Sequence, residues 1–245
     1  MERKLKLTVA YDGSRYHGFQ RQANAVTIQE VLEEQLAKIF GHRLKLNGAA
    51  RTDSGVHAYN QVITFNTEGK IPVGKVPLAA KSALPDDIVV TRAEEVSCDF
   101  HARYSARSKI YLYQIYVSKL PDPFRRNYAW HLPKMPDVAA MHKAAQRIVG
   151  EHDFSSFRAS GGHLINPVRT ILATGCHQDA EKIEFIFHGT GFLYHMVRNL
   201  VGTLVDVGWG RLTDSDFAAI LAGRDRSLAG ITAPPQGLYL KEVFY

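Results

Sequence analysis

The chain has 245 residues, 45% of them hydrophobic and 22% charged, a balance that allows a sizeable core and excludes both a disordered chain and a fibrous repeat. Its formal net charge of +6 favours polyanionic partners without proving one. No run approaches the roughly 20 apolar residues that span a bilayer, the opening residues lack an apolar signal region, and the two cysteines, Cys98 and Cys176, lie far apart, so the expectation is a soluble globular protein with reduced thiols, off the membrane and in the cytoplasm.

Lys4 to Val9 alternates polar and apolar residues, with Leu5, Leu7 and Val9 on one face, which predicts a half-buried strand. Turn chemistry follows in Tyr11-Asp12-Gly13-Ser14. Thr27 and Glu30 have the spacing of a capping box, and the helix after them puts Ile28, Val31, Leu32, Leu36, Ile39 and Phe40 on one stripe before stopping at Gly41. Leu44 to Leu46 and Val62 to Phe65 read as strands flanking the segment Asn47 to His57, followed by a helix over Val76 to Leu84 and a short strand over Ile88 to Thr91. Further along, Ile110 to Val117 is a β-run and Val138 to Val149 has helical spacing, with Met141, Ala145, Ile148 and Val149 expected to face inward. Ile183 to His188 reads as a strand, Met196 to Val207 as an apolar helix, Asp214 to Leu221 as a helix capped by Thr213 and Asp216, and Tyr239 to Phe244 as a closing strand. Hairpin-like strand spacing predicts an α+β protein with a largely antiparallel sheet, in two halves, 1–100 and 101–245, with a soft boundary.

One ten-residue segment stands out: Gly48-Ala49-Ala50-Arg51-Thr52-Asp53-Ser54-Gly55-Val56-His57. Small residues let a ligand approach the backbone, and Gly55 permits a tight reversal. An Asp-Ser-Gly turn is the ordinary use of such residues, but the flanking Arg51 and His57 tip the reading towards a site. If the segment is a strand, Arg51 and Asp53 share a face.

The string Gly-Ala-x-Arg-Thr-Asp-Ser-Gly-Val-His resembles the catalytic motif of the tRNA pseudouridine synthase A family. The resemblance extends, in order, through Tyr11-Asp12-Gly13-Ser14 with Tyr16, Gly18, Gln20 and Gln22; Leu84-Pro85-x-Asp87-Ile88; Phe100-His101-Ala102-Arg103; His195-Met196-Val197-Arg198-Asn199; and Gly237-Leu238-Tyr239-Leu240. Ala50 and Phe19 depart from the residues expected there, glycine or serine and tryptophan. The resemblance implies two ferredoxin-like or RNA-recognition-like halves joined into one mixed, largely antiparallel sheet, with an active-site cleft at its centre. It implies a homodimer acting on tRNA, which isomerises uridine to pseudouridine at positions 38 to 40 of the anticodon stem-loop without metal or redox cofactor. Asp53 would be the essential carboxylate, used in its ionised form, which a neighbouring cation favours; Arg198 would pair with it. Tyr111 would stack on the target uracil, and Arg51 would help to extrude the nucleotide and fill its place. Flipping a stacked base costs on the order of a few kcal/mol, which those contacts help to offset.

The ordinary reading of Tyr111 is a core tyrosine, and that of Arg198 a helix-surface arginine. Tyr113 is expected to pack. Arg15, Arg21, Arg103, Arg107, Lys109, Arg125, Arg126 and Arg169 are candidates for phosphate contacts. Cys98-x-x-His101 and the pair His188 and His195 have no third or fourth ligand at metal spacing, and Gly189-Thr190-Gly191-Phe192 is too short for a dinucleotide fingerprint. Two rivals remain, a non-catalytic RNA-binding module on the same fold and a nucleoside or phosphoester hydrolase. The first gives no reason for a carboxylate in the middle of a basic segment; the second lacks a metal cluster or a Ser-His motif.

Overall fold

A computed structural model describes residues 2–159 and 166–245 as a mixed α+β protein. The chain divides into two compact units, Met1–Arg107 with Tyr239–Tyr245, and Ser108–Leu238. The final residues, Tyr239–Tyr245, group with the first unit although they end the chain.

In the first unit, β1 (Arg3–Tyr11) lies between β3 (His57–Thr67) and β4 (Ile88–Val96), antiparallel to both. On its other edge β3 pairs in parallel with β10 (Leu238–Phe244), Tyr239 opposite His57. The alternation in β1 buries Leu5, Leu7 and Val9 completely. Helix α1 (Ile28–Phe40) buries Ile28, Leu32, Leu36 and Phe40, a stripe repeating every fourth residue, and ends on Gly41 at φ 78°. Its Thr27 cap accepts from Glu30 N–H, while the Glu30 carboxylate accepts from Arg21 rather than completing the box. Helix α2 (Val76–Lys81) is shorter than its periodicity suggests, and packs on β4.

The strand expected at Leu44 to Leu46 does not form. Both leucines are buried, so the hydrophobic pattern is obeyed, but side chains from α1 take the backbone groups. Leu46 N–H donates to Glu33 Oε1 at 3.2 Å and Leu46 C=O accepts from Gln29 Nε2 at 3.2 Å. The strand β2 is only Asn47–Gly48, paired with β3.

In the second unit, β5 (Ser108–Val117), β9 (Lys182–Gly189), β8 (Val168–Asp179) and β7 (Gly150–Asp153) follow one another as antiparallel neighbours, and β6 (Trp130–Leu132) pairs in parallel with β5. Helix α3 (Val138–Ala145) gives way to a 3-10 turn at Gln146–Ile148. That break leaves Val149 41% exposed, against the expectation that it faces inward. Helix α4 (Met196–Gly208) buries every residue except Arg198 and Asp206, and α5 (Asp214–Gly223) carries the full Thr213–Asp216 capping box. No helix among the described residues is long and apolar enough to cross a membrane.

Candidate active site

The Asp53 segment of the first unit is irregular rather than a strand, and it is held by its backbone. Gly48 belongs to β2 and lies against the Phe19 ring, where a Cβ would stand 2.3 Å from Cε1. Ala49 N–H donates to Val62 C=O, and the fully buried Gln61 side chain bonds both backbone groups of Ala50. Thr52 is buried beneath the surface, its hydroxyl 2.7 Å from the Tyr11 phenol, whose pKa burial raises well above the usual range. Arg51 and Asp53, on either side of it, are exposed and half-buried respectively. Arg51 has no side-chain hydrogen bond or ion pair among the described residues.

Asp53 opens a tight turn in which Val56 N–H returns to Asp53 C=O and Gly55 takes φ 75°. The loop after β1 supports that turn. Phe19 N–H donates to Thr52 C=O, Gly55 N–H and the Ser54 hydroxyl both donate to Tyr16 C=O, and Gly13 N–H donates to His57 Nδ1. Asp87 anchors the loop in turn, accepting from the Arg15 guanidinium and the Tyr16 phenol while its C=O accepts from Asp12 N–H. Behind the turn, the Tyr239 ring stacks on both His57 and Tyr59. The short string between two strands is therefore a braced platform that presents Asp53.

The other two candidates belong to the second unit. Tyr111 sits on β5 opposite Phe187, half-buried, with its ring edge-on to Phe192 at 5.0 Å. Arg198 lies in the first turn of α4, after His195 at φ 58°. Its Nε donates to Ala233 C=O at 2.7 Å, and Ala233 N–H donates back to Arg198 C=O at 3.1 Å. Tyr113, fully buried and on the same strand face as Tyr111, donates its hydroxyl to Pro234 C=O at 2.7 Å. The Ala233–Pro234 backbone thus links Arg198 to the strand that carries Tyr111.

That backbone is strapped across α4. A Cβ on Gly202 would fall 1.8 Å from Ile231 O. The buried Asn199 amide donates to Phe157 C=O and accepts from the Thr232 hydroxyl and the Arg226 guanidinium. Sequence reasoning missed Gln61, Asp87, Asn199 and Arg226 as supports. Asp87 and Asn199 stood inside quoted motifs, but nothing in the letters told what they would hold.

Several basic residues considered for phosphate contacts are already engaged. Arg15 is paired with Asp87, Arg21 with Glu30 and Glu33, and Arg125 with Asp122. Arg126 donates to Pro123 C=O, and Arg169 to the carbonyls of Asn166 and Val168. Arg103 and Arg107 are exposed. Among the described residues no group of three or more His, Cys, Asp or Glu side chains is placed to hold a metal ion.

The tRNA pseudouridine synthase family model matches residues 7–105 and 144–245. A protein of Thermoanaerobacter sp. (strain X514) named tRNA pseudouridine synthase A is 47% identical over 243 residues, covering 99% of this chain and 100% of that one. The protein of the same name from Ruminiclostridium cellulolyticum is 47% identical over 244 residues, with the same coverage. Among solved structures, that of a Cbf5-Nop10-Gar1 complex aligns at 11% identity and a TM-score of 0.40, covering 96% of this chain and 48% of that one. On the family model and the full-length identity, the chain belongs to the tRNA pseudouridine synthase family.

Proposed function

We propose that this chain isomerises uridine to pseudouridine in tRNA, at positions 38 to 40 of the anticodon stem-loop, with Asp53 as the catalytic carboxylate. One observation carries the reading: in a chain related over its whole length to synthases of that name, the Arg-Thr-Asp segment is braced through its backbone so that Asp53 stands on a turn instead of in the core. The reaction breaks the glycosidic C–N bond, turns the uracil, and joins its C5 to the ribose; C5 loses a proton and N1 gains one. No electrons enter or leave, so the chemistry calls for no redox cofactor. Asp53 serves by attack on the base or the sugar, or as the base of a glycal route; each uses its carboxylate.

In this reading the two units are ferredoxin-like halves of one sheet, the first bringing the aspartate loop and the second completing a central cleft. Arg198 pairs with Asp53 there and Tyr111 stacks on the flipped uracil, while Arg51, exposed beside Asp53, fills the place the base has left. Two copies of the chain grip one tRNA, in the cytoplasm.

The test is to incubate the wild type and Asp53→Asn with unmodified tRNA and to label carbon-linked uridine chemically. Product from the wild type alone, with both proteins equally stable, supports the synthase. RNA that is bound but unaltered by either points to a binding module, and released base or cut strand to a hydrolase.

A further inference from the structure

The first unit holds a second surface that the chemistry at Asp53 does not use. At the end of β3 remote from the aspartate turn, an open recess of about 840 Å³ is lined by Lys4, Arg43, Lys45 and Lys70, against the carboxylates of Glu2 and Glu68. Four cations against two anions leave a local excess of two positive charges. Lys4 Nζ is engaged, donating to Cys98 C=O at 2.5 Å. Arg43, Lys45 and Lys70 are exposed, and none has a side-chain hydrogen bond or ion pair among the described residues. Arg15 and Arg21 in the same unit are, by contrast, held by carboxylates.

The local structure explains how these cations come to share one rim. Between α1 and β2 the chain alternates, with Leu44 and Leu46 buried and Arg43 and Lys45 outward. Lys70 follows β3 after Gly69, where a Cβ would meet Phe40 Cδ1 at 2.6 Å, so glycine there keeps the floor, formed by the edge-on rings of Phe40 and Phe65, clear of a further side chain. Asn47 and Asn66 add amides to the lining.

We infer that this recess is a docking surface for the phosphate backbone of the tRNA body, away from the stem-loop that carries the target uridine. The inference rests on the tRNA-modifying reading above. An open basin with exposed cations on two separate segments, Arg43 and Lys45 before β2 and Lys70 after β3, suits an extended polyanion, because phosphates spaced along a strand reach each cation without closing the recess. Location sets which part of the RNA is met. The aspartate turn immediately precedes β3, whose 11 residues extend about 36 Å at about 3.3 Å each. A phosphate in the recess therefore belongs to a segment well separated from the base at Asp53.

The experiment compares the wild type, the triple variant Arg43→Gln, Lys45→Gln, Lys70→Gln, and a control, Lys38→Gln, Lys75→Gln, Lys81→Gln, which removes the same charge from other exposed positions. Binding is measured over a range of salt to full-length unmodified tRNA and to a hairpin with the anticodon stem-loop alone. The recess variant should bind full-length tRNA at least tenfold more weakly at about 0.1 M salt, with the salt slope reduced by about 2 to 3. Hairpin binding and the single-turnover rate at saturating tRNA should stay at wild-type values. Wild-type affinity and slope in the recess variant would overturn the inference, as would equal losses in the control or on the hairpin. A wild type that binds tRNA but forms no pseudouridine refutes the function proposed above, and the binding comparison still decides the recess.

Discussion

The Gln61 side chain closes a two-way hydrogen bond with the backbone of Ala50, Nε2 donating to Ala50 C=O at 2.8 Å and Oε1 accepting from Ala50 N–H at 3.1 Å. Gln61 is fully buried and Ala50 nearly so, so this pair fixes, out of water, the backbone one residue before Arg51 and three before Asp53.

Replacing Gln61 with Leu keeps the size and leaves both Ala50 groups buried without their partner. Each such group costs about 1–3 kcal/mol, so Gln61→Leu should lose on the order of 2–4 kcal/mol in urea unfolding and lower the turnover rate as the Asp53 turn loosens. Gln61→Glu retains an acceptor for Ala50 N–H but places a carboxylate oxygen against Ala50 C=O in a fully buried site, so it should also be less stable than the wild type, and increasingly so as pH rises. Wild-type unfolding and turnover in Gln61→Leu would show that the clamp holds nothing the site needs.

Two glycines that look alike in sequence should behave differently. Gly18 has φ 88° and lies where a Cβ would meet Thr52 O at 2.6 Å; Gly41 has φ 78° with nothing within 4 Å. Alanine at either position carries a backbone cost of roughly 1 kcal/mol, but only at Gly18 must the segment bearing Asp53 move as well. Gly18→Ala should reduce turnover by an order of magnitude or more, whereas Gly41→Ala should lower the melting temperature by a few degrees and leave turnover intact. Equal activities in the two variants would remove the loop after β1 from the account of the site.

The elements easiest to read from sequence were those whose burial is periodic. The α1 stripe, the apolar α4 and the Thr213–Asp216 box follow from local chemistry alone. Strand β8 was not legible, because its register slips between Ile171 and Ala173 and its buried residues, Ile171, Gly175 and Cys176, do not alternate. Leu44 to Leu46 failed in the opposite way: the pattern was right, but the partners of its backbone are Gln29 and Glu33, helix side chains that no local window couples to it. The site divides similarly. Arg51-Thr52-Asp53 can be read as a string, whereas its bracing by Gln61 and by the loop after β1 depends on contacts between residues distant in sequence.

Asn199 ties the strap over α4, and its removal should reach Arg198 through Ala233. Asn199→Ala strips the acceptor from Arg226 and Thr232 and the donor from Phe157 C=O, inside a fully buried site. A loss of about 2–4 kcal/mol is expected, with turnover falling more than tRNA affinity because the Arg198 guanidinium loses a fixed anchor for its Nε. Thr232→Val removes one hydroxyl, a donor to Asn199 and an acceptor from Arg226, and should cost about 1–2 kcal/mol. If Asn199→Ala unfolds at the wild-type urea midpoint, the strap does not depend on it.

The two thiols give a test of burial that is independent of catalysis. Cys98 is exposed and Cys176 buried, and burial pushes the Cys176 thiol from 9.0 up to about 12. A maleimide at neutral pH should therefore label one equivalent in the folded protein and two in denaturant, since the thiolate is the reacting form. The same shift has a sign in stability. Below pH 9.0 both folded and unfolded chains keep the proton and the contribution is fully present. As pH rises towards about 12 the unfolded chain releases the proton while the folded chain retains it, so folding becomes less favourable. Serine at this position does not titrate in that range, and the stability gap between the wild type and Cys176→Ser should narrow as pH is raised above 9.0. A gap that stays constant with pH, or two equivalents labelled in the folded state, would place Cys176 in contact with water.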